Sequence, residues 1–372
     1  MKSKVSIVKA DSYNSAQVYA AVKLSIELLG GITSFIRPKS KVLIKPNLLM
    51  AIEPDSAVDT HPEIVRAMIK ILKEIGCDIF VGDGPSVWGN QIENVQHVFE
   101  RSGIKRICEE EKVSLTEFTK RRMREKFPLT TMLDECDFLI NLPKFKTHSL
   151  TTLTAAIKNN FGLVSGTYKT ELHKRYFERD VFSKILVDVY QEAKPALTVI
   201  DGITVLEGEG PATGGTVRNL GLIFAGVDCV ALDSVLARIM GVDPLDIPTT
   251  KEAASRGAGV AELKDIEILG ESLESVTGTP FKMPKTALTR RIPGPVKELA
   301  KKLIRYYPCV ERDNCVRCAA CIDACPNKAI SMAKKGIVFD YSRCIACFCC
   351  SEACPASAIK VKKSLFAKII GL

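Results

Sequence analysis

The 372-residue chain is 46% hydrophobic and 26% charged, with 52 basic residues against 43 acidic ones and a formal charge of +9. That balance excludes disorder over most of the length, and at roughly 150 residues per domain it calls for two or three domains. No apolar run approaches the ~20 residues of a membrane-spanning helix, and residues 1–9 read as a strand with no signal-type apolar stretch behind them, so no transmembrane segment and a cytoplasmic location are expected.

In chain order, residues 4–9, 41–45, 78–82, 137–142, 197–201 and 220–225 are short runs rich in Val and Ile that read as buried strands. Helical patterns lie between them at 15–29, 63–75, 92–101, 150–160, 182–192 and 229–240; in the first, Val18, Val22, Ile26 and Leu29 share one face. This alternation predicts an α/β domain over residues 1–280, a mainly parallel sheet flanked by helices. Pro280, Pro284, Pro293, Pro295 and Pro308 mark 281–308 as a Pro-rich linker, and within it 296–306 reads as a short basic amphipathic helix. Residues 309–362 form a small ferredoxin-like α+β domain, followed at 363–372 by an amphipathic tail that packs on the protein or on a second subunit of a homo-oligomer.

An internal repeat defines the C-terminal domain. Cys315, Cys318, Cys321 and Cys325-Pro326 recur 29 positions later as Cys344, Cys347, Cys350 and Cys354-Pro355. Each half reads C-x₂-C-x₂-C-x₃-C-P, the bacterial ferredoxin run, in which the fourth cysteine serves the other cluster. Two [4Fe–4S] clusters are therefore expected, one on Cys315, Cys318, Cys321 and Cys354, the other on Cys344, Cys347, Cys350 and Cys325. Tetrahedral zinc sites use pairs of cysteines rather than runs of three plus one. Cys309 and Cys349 are off register, and Cys77, Cys108, Cys136 and Cys229 read as small buried apolar residues. Residues 309–372 hold ten Lys or Arg against five Asp or Glu. Two clusters at about −2 each cancel most of that excess, and no nucleic-acid partner is expected. The electron entry edge is expected near Phe348 and Tyr341 or near the Pro326 loop.

In the larger domain, segments rich in Gly, Asn, Lys and His follow the strands: Lys45-Pro46-Asn47, Thr60-His61-Pro62, Gly82-Asp83-Gly84-Pro85-Ser86, the loop from Asn141 to His148, Lys158-Asn159-Asn160-Phe161-Gly162 and Asp201-Gly202-Ile203. Ligands of open α/β sheets bind beyond the carboxyl ends of strands, so these segments should meet on one side. Lys45, Lys144, Lys146, His148, Lys158, Lys169 and His173 are candidates for a cationic pocket that takes an anionic small molecule. His61 and His148, with Lys144 and Lys146, are candidate catalytic groups, and Lys45, Asn47, Asp83, Lys158 and Asn159 are candidate cofactor contacts. Each lysine taken alone is more often a solvated surface residue, and His61 before Pro62 reads equally as a helix start. Asp201, Glu207, Glu209 and Asp228 offer oxygens to a divalent metal, or serve as turn and helix-start carboxylates. No dinucleotide fingerprint or Walker A loop is present, because Val87 stands where the third glycine would be.

These segments, with Gly208-Glu209-Gly210-Pro211 and the stretch from Ala225-Gly226-Val227-Asp228 to Asp233, resemble the family called domain of unknown function 362 over roughly residues 5–270. The resemblance implies an iron–sulfur protein of anaerobic metabolism and transfers no catalytic residues. Three functions are carried forward. The first is an oxidoreductase whose ferredoxin module exchanges electrons with a substrate or a second cofactor, such as a flavin, at the α/β domain. The second is a non-enzymatic carrier whose α/β domain docks a redox partner protein, and the third is a metalloprotein assembly or maturation factor.

Overall fold

The computed structural model describes residues 2–85, 95–164, 168, 172, 178–285, 306–334 and 336–363. Its strands are β1 Ser3–Lys9, β2 Lys41–Pro46, β3 Asp78–Asp83, β4 Ser114–Glu117, β5 Arg121–Arg124, β6 Phe127–Thr130, β7 Phe138–Leu142, β8 Lys144–His148, β9 Thr152–Thr154, β10 Leu197–Gly208, β11 Gly215–Gly226 and β12 Ile266–Gly270, then β13 Tyr306–Val310, β14 Ile330–Ala333, β15 Gly336–Phe339 and β16 Ile359–Lys363. The main sheet runs β12-β1-β11-β10-β7-β2-β3-β4, with β8 pairing on β10 and β9 on β8; β5 and β6 form a separate hairpin. Along the path from β12 to β4 only β11 runs against the rest.

Both faces of the sheet are covered. Val42 and Ile44 of β2 pack with Val18, Val22 and Ile26 of the helix Ser15–Glu27 and with Ile64, Met68 and Leu72 of the helix Pro62–Glu74. Leu43, pointing the other way, packs with Phe182, Ile185 and Leu186 of the helix Arg179–Ala193. Val5, Ile7 and Phe224 meet the helix Cys229–Met240, of which all but one residue is buried. Strands buried on both faces read as continuous apolar runs, which is why the sequence shows them clearly. Asp228 caps that last helix through the amides of Val230 and Ala231, and Gly241 closes it in the left-handed region.

Several elements differ from expectation. Residues 150–160 do not form one helix: Thr152–Thr154 is a strand, and the helix spans only Ala156–Asn159. Thr152 and Thr154 are β-branched and pair with His148 and Lys146 across an antiparallel turn. The stretch from Asn141 to His148, read as a loop, lies almost wholly in β7 and β8. Both strands run parallel to β10, successively along its length, and Pro143 separates them. Of the linker helix at 296–306, Tyr306 opens β13; its other residues, the tail beyond 363, Lys169 and His173 lie outside the described residues.

Candidate functional site

Alternation along β8 turns Lys144, Lys146 and His148 to one face and Phe145 and Thr147 to the other. Phe145 stacks on Phe281 at 5.0 Å and meets Phe224 edge-on at 6.3 Å, which anchors the strand in the core. The three basic residues are fully buried in a row. Lys144 Nζ donates to Asp201 at 2.8 Å and to the Tyr13 hydroxyl at 2.7 Å, and that hydroxyl donates to the other Asp201 oxygen at 2.7 Å. Burial lowers the Lys144 pKa and raises that of Tyr13. Tyr13 also stacks on His61 with ring centroids 3.6 Å apart. The His61 Nδ1 accepts from the Glu63 amide at 3.2 Å, capping the helix Pro62–Glu74, and burial lowers its pKa to about 4.

A second group forms where β2 and β3 end. Lys45 pairs with Asp83 at 2.6 Å, both buried, and donates weakly to Asn159 at 3.4 Å. Asn159 donates to Asn141 at 2.8 Å, and Asn141 to the Ala156 carbonyl at 3.0 Å. Gly162 passes so close that a Cβ there would fall 2.2 Å from the Asp83 carboxylate and 2.3 Å from Lys45 Nζ, so only glycine fits. Asp233 accepts from the amides of Ala156 and Ile157 at 2.8 and 3.2 Å, fixing the short helix that carries Lys158 and Asn159. Asn47 joins this group only through its main chain, its amide donating to Thr60 at 2.8 Å; its side-chain oxygen has no partner.

Lys146 and Lys158 are different. Lys146 donates to the Val58 carbonyl at 2.5 Å and has no described carboxylate within ion-pair distance. Burial lowers its pKa to about 7, with Asp59 opposing the shift. Burial likewise raises Asp59 to about 7, and one of its carboxylate oxygens is buried without a hydrogen-bond partner. Lys158, half-buried, has no hydrogen-bond or ion-pair partner for its ammonium among the described residues, and burial lowers its pKa. A buried ammonium without a close counter-charge costs several kcal/mol, far more than a paired one.

The compensating charge comes from the C-terminal module. Glu352, between Cys350 and Cys354, ends the short helix Cys349–Glu352 and lies 3.6 Å from His148 Nε2. Burial raises its pKa, while Lys158 and Lys146 pull it back down. The His148 Nδ1 accepts from the amides of Leu150 and Thr151 at 3.0 and 3.3 Å, so the ring proton of the neutral imidazole is on Nε2, facing Glu352. The loop after β10 adds two bonds to the same module: Thr213 donates to the Cys354 carbonyl at 3.1 Å, and Ser357 donates to the Thr213 carbonyl at 2.7 Å.

Within the module β13 pairs with β16 and β14 with β15. The sequence repeat is also a backbone repeat. Arg317 and Ala346, Ala319 and Phe348, and Lys328 and Ser357, each pair 29 residues apart, have positive φ of 56° and 54°, 63° and 61°, and 49° and 52°. These turns curl each run and direct amides at sulfur: Ala329 donates to Cys325 and Ala358 to Cys354, both at 3.2 Å, and Ala346 to Cys344 at 3.4 Å. One cavity is lined by Cys315, Cys318, Cys321 and Cys354, and a second by Cys325, Cys344, Cys347 and Cys350. Cys309 and Cys349 line neither. Of the two aromatics expected at an exposed edge, Phe348 is buried against the second cavity and Tyr341 is exposed; the exposed thiol is Cys318, beside Val316, which is 66% exposed.

The four candidate metal carboxylates do not converge. Asp201 is held by Lys144 and Tyr13, Glu207 lies 3.4 Å from Arg218, Glu209 accepts from the Lys285 amide at 2.8 Å, and Asp228 caps a helix. Among the described residues, no three His, Cys, Asp or Glu side chains close on a point as a single metal ion requires. Sequence reasoning missed Tyr13, Asp59 and Glu352. Asp59, next to Thr60-His61, carried a local signal; Tyr13 and Glu352 carried none.

Comparison with known proteins agrees with this layout. The family model for a domain of unknown function, DUF362, matches residues 42–238, and that for a 4Fe–4S dicluster domain matches 314–358. A thylakoid-associated protein of Synechocystis sp. is 33% identical over 256 residues, covering 67% of this chain and 78% of its own. Lactate racemase apoprotein from Thermoanaerobacterium thermosaccharolyticum aligns with a TM-score of 0.36 at 14% identity, over 61% of this chain and 54% of its own. No helix among the described residues is long and apolar enough to cross a membrane. The chain therefore belongs to the DUF362 family and is an iron–sulfur protein with a 4Fe–4S dicluster domain behind its α/β domain.

Proposed function

We propose that this is a redox protein in which a pair of [4Fe–4S] clusters exchanges electrons with an anionic substrate or second cofactor, a flavin among the candidates, held at Lys146, Lys158 and His148. The observation that carries the reading is the buried Lys146 and half-buried Lys158, neither within ion-pair distance of a described carboxylate, set against Glu352 of the cysteine run. Charge of that kind is retained in an interior where it meets an opposite charge on a ligand.

In this reading Cys315, Cys318, Cys321 and Cys354 hold one cluster, and Cys325, Cys344, Cys347 and Cys350 the other. The donor chemistry fits: four thiols ring each cavity, and amide donors at sulfur favour thiolate over thiol. When bound, such clusters supply one-electron transfer. The chain's own residues do the rest. Lys146 and Lys158 attract the negative group, His148 offers its Nε2 proton, and Asp233 fixes the helix that carries Lys158.

The test is anaerobic purification with iron analysis and mass spectrometry of small molecules released on acid denaturation. About eight irons per chain are expected, falling by about four in Cys318→Ser and in Cys347→Ser. A Lys158→Met, His148→Ala double variant should keep its iron and lose the released anion. Colourless, iron-poor protein carrying zinc would sink the redox reading.

A second reading, a carrier that docks a partner oxidoreductase, is favoured by the closed pairing of Lys45 with Asp83 and Lys144 with Asp201, which leaves a filled floor beneath the strand ends. The thylakoid association of the Synechocystis relative fits such docking. Iron-replete protein that releases no small molecule would favour this reading.

A further inference from the structure

Lys146 and Asp59 form a buried acid–base pair that the binding role does not use up. Lys146 is 1% exposed and its ammonium donates to a neutral carbonyl, Val58. Asp59 is fully buried; one oxygen accepts from the Leu49 amide at 2.6 Å and the other has no partner. The two side chains are near enough to perturb each other, yet no ion-pair contact joins them. Such a pair titrates as a unit, and an extra proton has an unpartnered Asp59 oxygen to occupy.

The surroundings determine what moves that proton. From its own strand Lys146 faces Lys144, which is neutralised by Asp201, and His148. Lys158 faces it from the helix Ala156–Asn159, and Glu352 from the cysteine run. Asp83, paired with Lys45, is near enough to Asp59 to raise its pKa. Of these neighbours Lys144 and Asp83 each have an ion-pair partner, whereas Glu352 brings the charge of the iron–sulfur module to the pair.

We infer that reduction of this module draws a proton from solvent into the Lys146–Asp59 pair, so that the protein takes up one electron and one proton together. The electron comes from an external one-electron donor and the proton from water, so the charge added at the cysteines is cancelled across the Glu352 junction. Both groups have pKa values near 7, so the coupling operates at neutral pH. The proton goes to the pair, and Glu352 is not required to titrate. The inference rests on the reading that the eight cysteines hold redox clusters.

The experiment is a potentiometric titration of the full chain with dithionite, followed by electron paramagnetic resonance, from pH 6 to pH 9. The midpoint of at least one cluster should fall as pH rises, approaching ~59 mV per pH unit near neutrality, the one-electron value of a tenfold change in proton activity. In Lys146→Met the slope should vanish, because Asp59 without the ammonium stays protonated throughout. In Asp59→Asn it should vanish because Lys146 without the carboxylate stays neutral. Lys146→Arg keeps a fixed charge beside Asp59, so Asp59 still titrates and the slope should persist there, while Asp59→Asn covers the case in which the Met variant does not fold. Lys120→Met, at an exposed position, should keep the slope. A flat wild-type midpoint, or a slope that survives in Lys146→Met and Asp59→Asn, overturns the inference. Iron content on the same samples separates the two claims: iron-replete protein with a flat midpoint defeats only the proton coupling, and iron-free protein defeats both.

Discussion

Between residues 3 and 281 the chain buries Val, Ile, Leu and Phe on both faces of one sheet, in three large clusters. Between 306 and 363 the main cluster has seven buried residues, Cys321, Ile330, Ile337, Cys350, Cys354, Ala358 and Ile359, and three of them are cysteines. The first region supplies its own stability through apolar burial. The second has too little core for its length and leans on what its thiols hold and on the face of the first region. The junction between them is polar: Glu352, His148, Lys146, Lys158 and Thr213.

Removing iron should break this contrast most visibly. After anaerobic chelation, amide hydrogen exchange in 306–363 should rise toward that of an unfolded chain while β1, β2 and β10 stay protected. Protection that persists in the module would show that its own core suffices. In the other direction, Phe224→Ala should cost about 3–5 kcal/mol in denaturant unfolding of the α/β domain, as for a fully buried aromatic, with iron content per folded chain unchanged. A loss under 1 kcal/mol would show that the core near β11 is less tightly packed than described.

Gly162→Ala tests the floor of the site. Its methyl would displace the Lys45–Asp83 pair, and a destabilisation of about 1–3 kcal/mol is expected by thermal or denaturant melting. An unchanged melt would mean the pair yields freely. A further test concerns pH. Asp233 is buried, and desolvation raises its pKa from 3.8 to about 7. The native state therefore holds a proton that the unfolded chain releases. The stability this group contributes is fully present below about pH 4 and is lost as pH rises through about 7. Asp233→Asn should remove that part of the slope in unfolding free energy against pH, and an unaltered slope would assign it to other groups.

Much of the α/β architecture was legible because both faces of the sheet are buried: β1, β2, β3 and β7 are continuous apolar runs found within a residue or so of their expected bounds. β8 was not legible. Its sequence, Lys-Phe-Lys-Thr-His, alternates as a half-buried strand does, but the alternating residues are two lysines and a histidine, which composition assigns to a solvated loop. They are buried because Asp201, Asp59 and Glu352, distant in sequence, supply opposite charge. The helix expected at 150–160 failed for a related reason, since the antiparallel pairing of Thr152–Thr154 with β8 overrides a weak helical pattern.

The sequence alone determined the two cysteine runs and their 29-residue period, because ligand spacing on a short loop is a local property that needs no distant residue. It also determined that an α/β sheet precedes them, since apolar periodicity is local too. Only the tertiary structure decided which lysines are paired and which are left over, that Tyr13 closes on Lys144, and that Glu352 of the cysteine run reaches His148. Electrostatic partnership depends on distance through space, and residues more than 200 positions apart in the chain cannot announce it.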